Sequence, residues 1–208
     1  MPTTIPKSRI TTREIRKSDW KLIEKLFGER GACGGCWCMH WRREKGGKAW
    51  EAAKGAPNRR AFKVLVESGQ AHGVLAFDGA TPVGWCAFGR RSEFPRLVRT
   101  RAYQYVDSAV ADGNASEVWS INCLFVLKSH RDQGISQAMV ATAIEAIRKR
   151  HGRFVEAYPV TLTADGNKLP AAFAYTGPEI IFRRLGFKEV QRLSQSRPLY
   201  RLELGRRG

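Results

Sequence analysis

The sequence predicts an α/β fold in which helices flank a mixed β-sheet. Val118 to Val126 is apolar, β-branched and aromatic with small polar interruptions, and after a polar turn the apolar residues recur at helical spacing. Arg153 to Val160 reads as a second strand, parallel to the first if the helix makes the usual right-handed crossover. Ala71 to Phe77 and Pro82 to Phe88, joined by a tight turn, predict an antiparallel hairpin.

The other elements complete one domain. With 208 residues, 43% of them hydrophobic, the chain is long enough for a single domain, residues 1–208, with a substantial core. Capping and breaking residues bound helices predicted at Ser18 to Phe27, between Gly46 and Gly55, at Asn58 to Glu67 and at Gly177 to Gly186. Alternating or apolar runs predict further strands at Arg9 to Ile15, Phe187 to Leu193 and Leu199 to Leu204.

Composition limits the location and the partners. No apolar run reaches the length of a signal peptide or a membrane span, which predicts a cytoplasmic protein without a membrane partner. Five cysteines, an odd number, fit a reducing compartment. The formal net charge of +17 favours an anionic partner, such as a phosphorylated cofactor, an acidic substrate or a nucleic acid. The sequence leaves open whether the protein forms a homodimer.

The turn before the predicted long helix has the features of an anion site. Gly134 stands at the helix entrance with the small Ser136 behind it, so a ligand could approach the unpaired amides of the first turn. Lys128, His130 and Arg131 add positive charge on the approach. A phosphate group fits such a place, although Gly134 alone would equally fit an ordinary strand-to-helix turn.

The run from Arg131 to Ser136, RDQGIS, resembles the Arg/Gln-x-x-Gly-x-Gly/Ala signature of the GCN5-related N-acetyltransferase (GNAT) superfamily, with Ser136 where Gly or Ala is usual. The resemblance implies a mainly antiparallel sheet whose two central strands are parallel and splay apart. It also implies acetyl-CoA as acyl donor, with its pyrophosphate on the turn and its pantetheine arm on the preceding strand. The implied cofactor-binding residues are Leu124, Phe125, Val126, Arg131, Asp132, Gln133, Gly134, Ile135, Ser136 and Gln137.

The function implied by the resemblance is transfer of an acetyl group from acetyl-CoA to a primary amine by direct attack on the thioester. Two alternatives stay open, an acyl-CoA-binding sensor without turnover and a basic module associated with RNA or the ribosome. The arginines and aromatic residues from Arg90 to Tyr105 are the most nucleic-acid-like feature. We interpret that stretch as a solvated irregular loop because no RNA-binding motif accompanies it, so nucleic acid is possible but not favoured.

Candidate acid and base residues come from position rather than from a motif. Glu117 falls on the strand where the histone-acetylating branch of the superfamily places its carboxylate base, and Glu156 on the partner strand is the second candidate, since a β-bulge would shift the parity. Phe182 stands where the family often has a tyrosine that protonates the leaving thiolate. Tyr158 and Tyr175 are therefore the candidate acids.

The segment Gly31 to Trp41 is unusually rich in cysteine, glycine and tryptophan. Cys33, Cys36, Cys38 and His40 could supply soft metal ligands, and Cys33 with Cys36 could form a redox pair. All four lie within eight residues and no distant ligand pair is evident, so we predict no metal and expect reduced thiols that act as small hydrophobes.

This segment is also a candidate for the acceptor site. In GNAT proteins the region after the first helix commonly shapes the acceptor pocket, so the resemblance implies that Trp37, Cys38 and Trp41 form a substrate wall, with core packing as the alternative. Trp85, at the centre of the predicted hairpin, completes the set.

Overall fold

A computed structural model describes residues 10–103, 118–161, 174–192 and 197–205. The strands of this part of the chain are β1 (Ile10–Glu14), β2 (His72–Asp78), β3 (Thr81–Arg90), β4 (Val118–Val126), β5 (Phe154–Ala157), β6 (Lys188–Gln191) and β7 (Leu199–Glu203). The helices are α1 (Trp20–Phe27), α2 (Gly47–Ala53), α3 (Ala56–Ser68), α4 (Pro95–Arg99), α5 (Ile135–Lys149) and α6 (Glu179–Arg184). None of these helices is long and apolar enough to cross a membrane.

The strands form one mixed sheet in the order β1, β2, β3, β4, β5, β7, β6. All neighbours pair antiparallel except β4 and β5, which are parallel and connected through α5. The predicted fold class, an α/β protein with a mainly antiparallel sheet and a central parallel pair, is therefore confirmed.

The parallel pairing of β4 with β5 ends about halfway along β4. Their pairing ends at Ile121 with Ala157, whereas β4 continues for five residues to Val126. The chain after β5 reaches Pro159, which has no N–H to donate, and Val160 then forms a bridge with Pro178 instead of with β4. One edge of β4 is thus left open to a cleft, which is the splayed arrangement that the resemblance implies.

Two hydrophobic cores cover the two faces of the sheet. On one face α5 buries Met139, Val140, Ala143 and Ile147, a set at helical spacing, against β2, β3 and β4. On the opposite face α1, α3 and the segment Gly31 to Trp41, here named the Cys/Trp segment, pack their aromatic residues against β2 and β3. The sheet is therefore buried between these two cores.

The interpretation of residues 90–105 as a solvated irregular loop is wrong for the part that the structure describes. The stretch contains α4, and Phe94, Leu97 and Tyr103 are buried. Arg91 is itself buried, in an ion pair with Glu156. The apolar residues between the arginines outweigh the charges because they form a small core of their own.

Candidate functional site

A cleft of about 1290 Å³ opens where β4 and β5 part. One end, here named the anion half, is formed by residues 128–137 and by α6 with Arg184. The other end, here named the aromatic half, is formed by His40, Trp41, Trp50 and Tyr175 with neighbouring cysteines. The residues of β4 from Cys123 to Val126 run along the floor between the two halves.

The anion half is built around the N-terminus of α5. Gly134 has φ 75°, a left-handed conformation that glycine adopts without strain, and it precedes the helix with no side chain bonded to the first amides. A Cβ placed on Gly134 would meet no atom within 4 Å, so the space beside these amides is open. A helix start with uncapped donors and open space beside it is suited to bind a phosphate oxygen.

The charges around that helix end are mainly positive. Lys128, His130, Arg131 and Arg184 line the anion half, and Asp132 is the acidic residue that does so among the residues the structure describes. The predicted cofactor-binding residues lie together here and along the floor, except that Gln133 turns away and donates to the carbonyl of Ser129 at 3.4 Å. Arg184 was not predicted, because a cation in the last turn of a helix is usually explained by the helix dipole.

The open edge of β4 already has hydrogen-bond partners from within the chain. The amide N–H of Leu124 donates to the carbonyl of Tyr175 at 2.6 Å, and the indole of Trp41 donates to the carbonyl of Asn122 at 3.1 Å. Nε of Arg131 donates to the carbonyl of Val126 at 3.3 Å. The backbone of Leu124, predicted to pair with a ligand, is therefore engaged by Tyr175 in this structure.

Asn122 is the site of a β-bulge. Ala87 pairs with Cys123 and Phe88 pairs with Ile121, so Asn122 is the extra residue of β4. The bulge that the sequence analysis allowed for is present. The side-chain amide nitrogen of Asn122 is buried and has no hydrogen-bond acceptor in the described part of the chain. It lies next to the floor of the cleft.

The aromatic half surrounds a neutral histidine. The ring of His40 lies 4.7 Å from that of Trp41, 5.3 Å from that of Trp50 and 5.6 Å from that of Tyr175. Burial, together with repulsion from the nearby guanidinium of Arg96, lowers the pKa of His40 to about 4. The imidazole is therefore uncharged at neutral pH.

This pKa predicts an acid-sensitive fold. An unfolded histidine has a pKa near 6.5, so between pH 6.5 and pH 4 the unfolded chain binds a proton that folded His40 does not. Stability is thus present above pH 6.5 and lost as the pH falls, by up to about 2 kcal/mol at pH 5. Denaturant unfolding at pH 7 and pH 5 should show a smaller loss for His40→Asn than for the wild type. Equal losses would contradict this account.

The cysteines in and next to this half differ in the pKa of their thiols. Nε1 of Trp85 donates to the sulfur of Cys38 at 3.3 Å, and the thiol of Cys123 and the charge of Arg42 also act on it. The hydrogen bond with Cys123, followed by that from Trp85 and the charge of Arg42, holds the pKa of Cys38 below its usual range, although burial opposes them. Burial instead raises the pKa of Cys36 to about 11, and it also raises that of Cys86. The pKa of Cys123 is raised by its hydrogen bond with Cys38.

Three of the four predicted substrate-wall residues line the cleft, namely Cys38, Trp41 and Trp85. Trp37 does not line the cleft, which fits the alternative given for it, core packing. Its indole is 3% exposed and packs 5.7 Å from the rings of both Trp20 and Phe27, in the core below the wall. Trp50, Tyr175 and Arg197 stand at the aromatic half in its place. The sequence held no periodic signal for them, because they come from three separate segments.

No metal site was predicted at the Cys/Trp segment. Within the described residues, no group of three or more His, Cys, Asp or Glu side chains is arranged to hold a metal ion. We expect protein purified without added zinc to contain well below one equivalent by elemental analysis, and a chelator to leave its melting temperature unchanged. Stoichiometric zinc, or a fall in melting temperature with chelator, would contradict the prediction.

The candidate catalytic residues separate into those at the cleft and those away from it. Tyr175 lines the cleft, and burial raises the pKa of its hydroxyl, which stays protonated. Phe182 is fully buried against Phe187. Glu117 lies outside the residues that the structure describes.

Glu156 and Tyr158 were predicted to reach the gap between the strands, and the structure corrects both positions. Both side chains are fully buried and neither lines the cleft. The carboxylate of Glu156 pairs with Arg201 at 3.2 Å and with Arg91 at 3.6 Å. The hydroxyl of Tyr158 donates to Glu156 at 2.9 Å. Glu156 of β5 and Tyr158 directly after it thus point to this internal ion cluster, away from the open edge of β4.

Residues 37–168 match the sequence profile of a family described as "Acetyltransferase (GNAT) family". Similar solved structures include an acetyltransferase of the GNAT family from Streptococcus pneumoniae, with 12% identity, TM-score 0.56 and coverage of 95% of this chain and 100% of that one. A putative acetyltransferase, yncA, from Salmonella typhimurium with acetyl-CoA has 13% identity, TM-score 0.53 and coverage of 95% of both chains. The paia N-acetyltransferase from Thermoplasma acidophilum in complex with coenzyme A has 12% identity, TM-score 0.50 and coverage of 94% and 99%. Curated sequences give no significant match.

Proposed function

Because the chain belongs to the acetyltransferase (GNAT) family, we propose that it transfers the acetyl group of acetyl-CoA to a primary amine by direct attack on the thioester. The observation that carries the proposal is the anion half, where the uncapped, open amides at the start of α5 are surrounded by cations. It lies at one end of a cleft whose floor is the part of β4 that does not pair with β5. Two similar structures are described as holding acetyl-CoA or coenzyme A.

The residues present fit such a donor. The pyrophosphate would accept hydrogen bonds from the amides that follow Gly134, and Lys128, Arg131 and Arg184 would offset its charge. The pantetheine arm would follow β4 towards Leu124, where apolar side chains flank the open edge. Ser136, small and close to the helix start, leaves room for the phosphates.

Reaction requires an exchange of hydrogen bonds at Leu124. The thioester carbonyl would accept the N–H of Leu124 in place of the carbonyl of Tyr175, which that N–H now contacts at 2.6 Å. An amide fixed in a strand is a preorganised donor for the oxyanion that develops when the amine nitrogen attacks the carbonyl carbon. The C–S bond then breaks, and the electron pair leaves with the coenzyme A sulfur.

We expect Tyr175 to protonate that sulfur. It lines the cleft, and its backbone carbonyl accepts a hydrogen bond from the N–H of Leu124. Its hydroxyl stays protonated because burial raises the pKa of that group. Tyr175→Phe should therefore lower kcat roughly tenfold to a hundredfold with little change in acetyl-CoA affinity.

Tyr158→Phe is the matched control for that prediction, since it removes the same hydroxyl from the internal ion cluster. It should lower stability and leave kcat near the wild-type value. Two unchanged rates would mean that water protonates the thiolate, and an effect confined to Tyr158→Phe would reverse the assignment.

The experiment that tests the function is an acetyl-CoA assay over small amines, amino acids, peptides and aminoglycosides, with free coenzyme A as the readout. Turnover with any amine supports the proposal. Binding of coenzyme A without turnover would instead favour the sensor alternative, for which the absence of a hydroxyl at Phe182 is the supporting observation.

A further inference from the structure

The sulfur of Cys38 lies beside the place where the reaction would occur. Cys38 lines the cleft and contacts the thiol of Cys123. Cys123 is the chain neighbour of Leu124, whose amide we assign to the thioester carbonyl. The sulfur is therefore next to the residue that precedes the proposed oxyanion donor.

The backbone at this point adopts an unusual conformation. Trp37 has φ 46° and Cys38 has φ 57°, so two successive residues with side chains are in the left-handed region. Such residues are uncommon and cost free energy unless their surroundings fix them, and they cluster at functional sites. Here the buried indole of Trp37 anchors the turn, and Cys38 is consequently directed at the cleft.

Each element packed against the sulfur contributes a group that faces it. From β3 this is the indole N–H of Trp85, at 3.3 Å, because the next residue, Cys86, lies in the core on the other face of the sheet. From β4 it is the thiol of Cys123, and from the Cys/Trp segment and its continuation they are Cys36 and Arg42. Two hydrogen-bond donors and one cation thus favour the thiolate of Cys38 against the opposing effect of its burial, while the thiols of Cys36 and Cys123 stay protonated.

Two other candidate bases, Glu156 outside the cleft and His40 within it, are less suitable. Glu156 is enclosed by Arg91 and Arg201. His40 has a pKa of about 4, so it is a weak proton acceptor for an alkylammonium ion. A group whose pKa lies nearer to the working pH is the more effective general base.

We propose that Cys38 is the general base that removes the proton from the acceptor amine, a role that rests on the acetyl transfer proposed above. The ammonium proton passes to the Cys38 sulfur, and the freed nitrogen electron pair forms the bond to the thioester carbon. The bond from that carbon to the coenzyme A sulfur breaks, and this sulfur takes a proton from Tyr175 or from water. The nitrogen, positively charged after the attack, loses its second proton and becomes the neutral amide, and that proton restores Tyr175 or water. Cys38 then returns its proton to solvent.

The first test compares Cys38→Ser with Cys86→Ser across pH 6 to 9, using the best amine found. Serine keeps the shape of cysteine, but its hydroxyl does not ionise in this range. Cys38→Ser should lower kcat/KM about 100-fold to 10,000-fold near neutrality and recover part of the loss at high pH, where more amine is neutral. Cys86→Ser, the same change at a buried thiol that does not line the cleft, should keep the shape of the wild-type profile at a temperature below its unfolding transition.

The second test measures the thiol directly and does not depend on turnover. In a Cys33→Ser background, the rate of iodoacetamide modification of Cys38, followed by peptide mass spectrometry, should rise with pH through a midpoint below that of a free thiol. Trp85→Phe removes the N–H donor and should move that midpoint upward.

Several results would overturn the proposal. These are an unchanged pH profile in Cys38→Ser, a loss reproduced by Glu117→Gln instead, or an acetylated Cys38 in acid-quenched turnover mixtures, which would make the sulfur a nucleophile. An iodoacetamide midpoint at or above that of a free thiol would do the same. Absence of turnover with every amine would end the proposed function as well, whereas turnover that survives in Cys38→Ser would end this proposal alone.

Discussion

Replacing Gly134 with valine should abolish the stabilisation that coenzyme A gives to the folded chain. At a ligand concentration a hundred times its dissociation constant, that stabilisation is about 2.7 kcal/mol. Gly134 has φ 75°, and the space beside it is open, so a valine side chain would occupy the volume in front of the first amides of α5. The phosphates would lose their closest approach to those donors.

The matched control is Gly79→Val. Gly79 has φ 57° and also has no atom within 4 Å of a built Cβ, but it lies in the hairpin between β2 and β3 and does not line the cleft. Both variants should lose roughly 1 to 2 kcal/mol without ligand, the cost of a left-handed conformation for a residue with a Cβ. Only Gly134→Val should lose the thermal shift with coenzyme A.

The comparison therefore separates strain from ligand binding. An intact thermal shift in Gly134→Val would remove the turn from the binding site, and loss of the shift in both variants would show a general effect on the fold. No shift in the wild type with either acetyl-CoA or coenzyme A would contradict donor binding altogether.

The anion half was predictable because its signal is local. The predicted bounds of β4, Val118 to Val126, agree with the structure, and α5 begins at Ile135, directly after Gly134. Within thirty or so residues the period of the apolar positions changes from strand to helix, and the glycine marks the change. Such a unit specifies its own geometry, so the position of the helix amides followed from the sequence.

The aromatic half was not predictable to the same extent because its contacts are long-range. Trp41 donates to Asn122 across 81 positions, and Trp85 reaches Cys38 across 47. How the Cys/Trp segment packs on the sheet therefore decides which of its aromatic residues line the cleft and which lie in the core. Trp37 and Trp41 are only four residues apart, yet the positive φ values between them send one indole into the core and the other to the cleft.

Strand β5 shows a third case, in which the element was predicted but its faces were not. The strand Phe154–Ala157 lies within the predicted Arg153 to Val160, but Glu156 points to arginines from distant elements rather than to the gap. Arg91 was placed by the sequence analysis in a solvated loop, and a partner in a misassigned segment cannot be inferred. A glutamate is almost never fully buried unless it is paired, so the burial of Glu156 itself indicates cations nearby.

Glu156→Gln should destabilise the fold strongly. The change keeps the shape of the side chain, removes one negative charge, and leaves the buried guanidinium groups of Arg91 and Arg201 without their carboxylate. Breaking a buried pair in this way costs about 3 to 5 kcal/mol, and in a protein of this size the melting temperature should fall by roughly 6 to 20 °C. Thermal and denaturant unfolding would measure both quantities.

The matched control is Glu203→Gln on the adjacent strand β7, where the carboxylate is 65% exposed and lies 3.9 Å from Arg153. An exposed pair contributes little, so this variant should stay within about 0.5 kcal/mol of the wild type. The two variants also decide the role of Glu156. A folded Glu156→Gln protein that keeps its kcat per active site, at a temperature below its unfolding transition, identifies the carboxylate as structural. Full stability combined with a lost kcat would instead restore Glu156 as the base and contradict the ion cluster as its function.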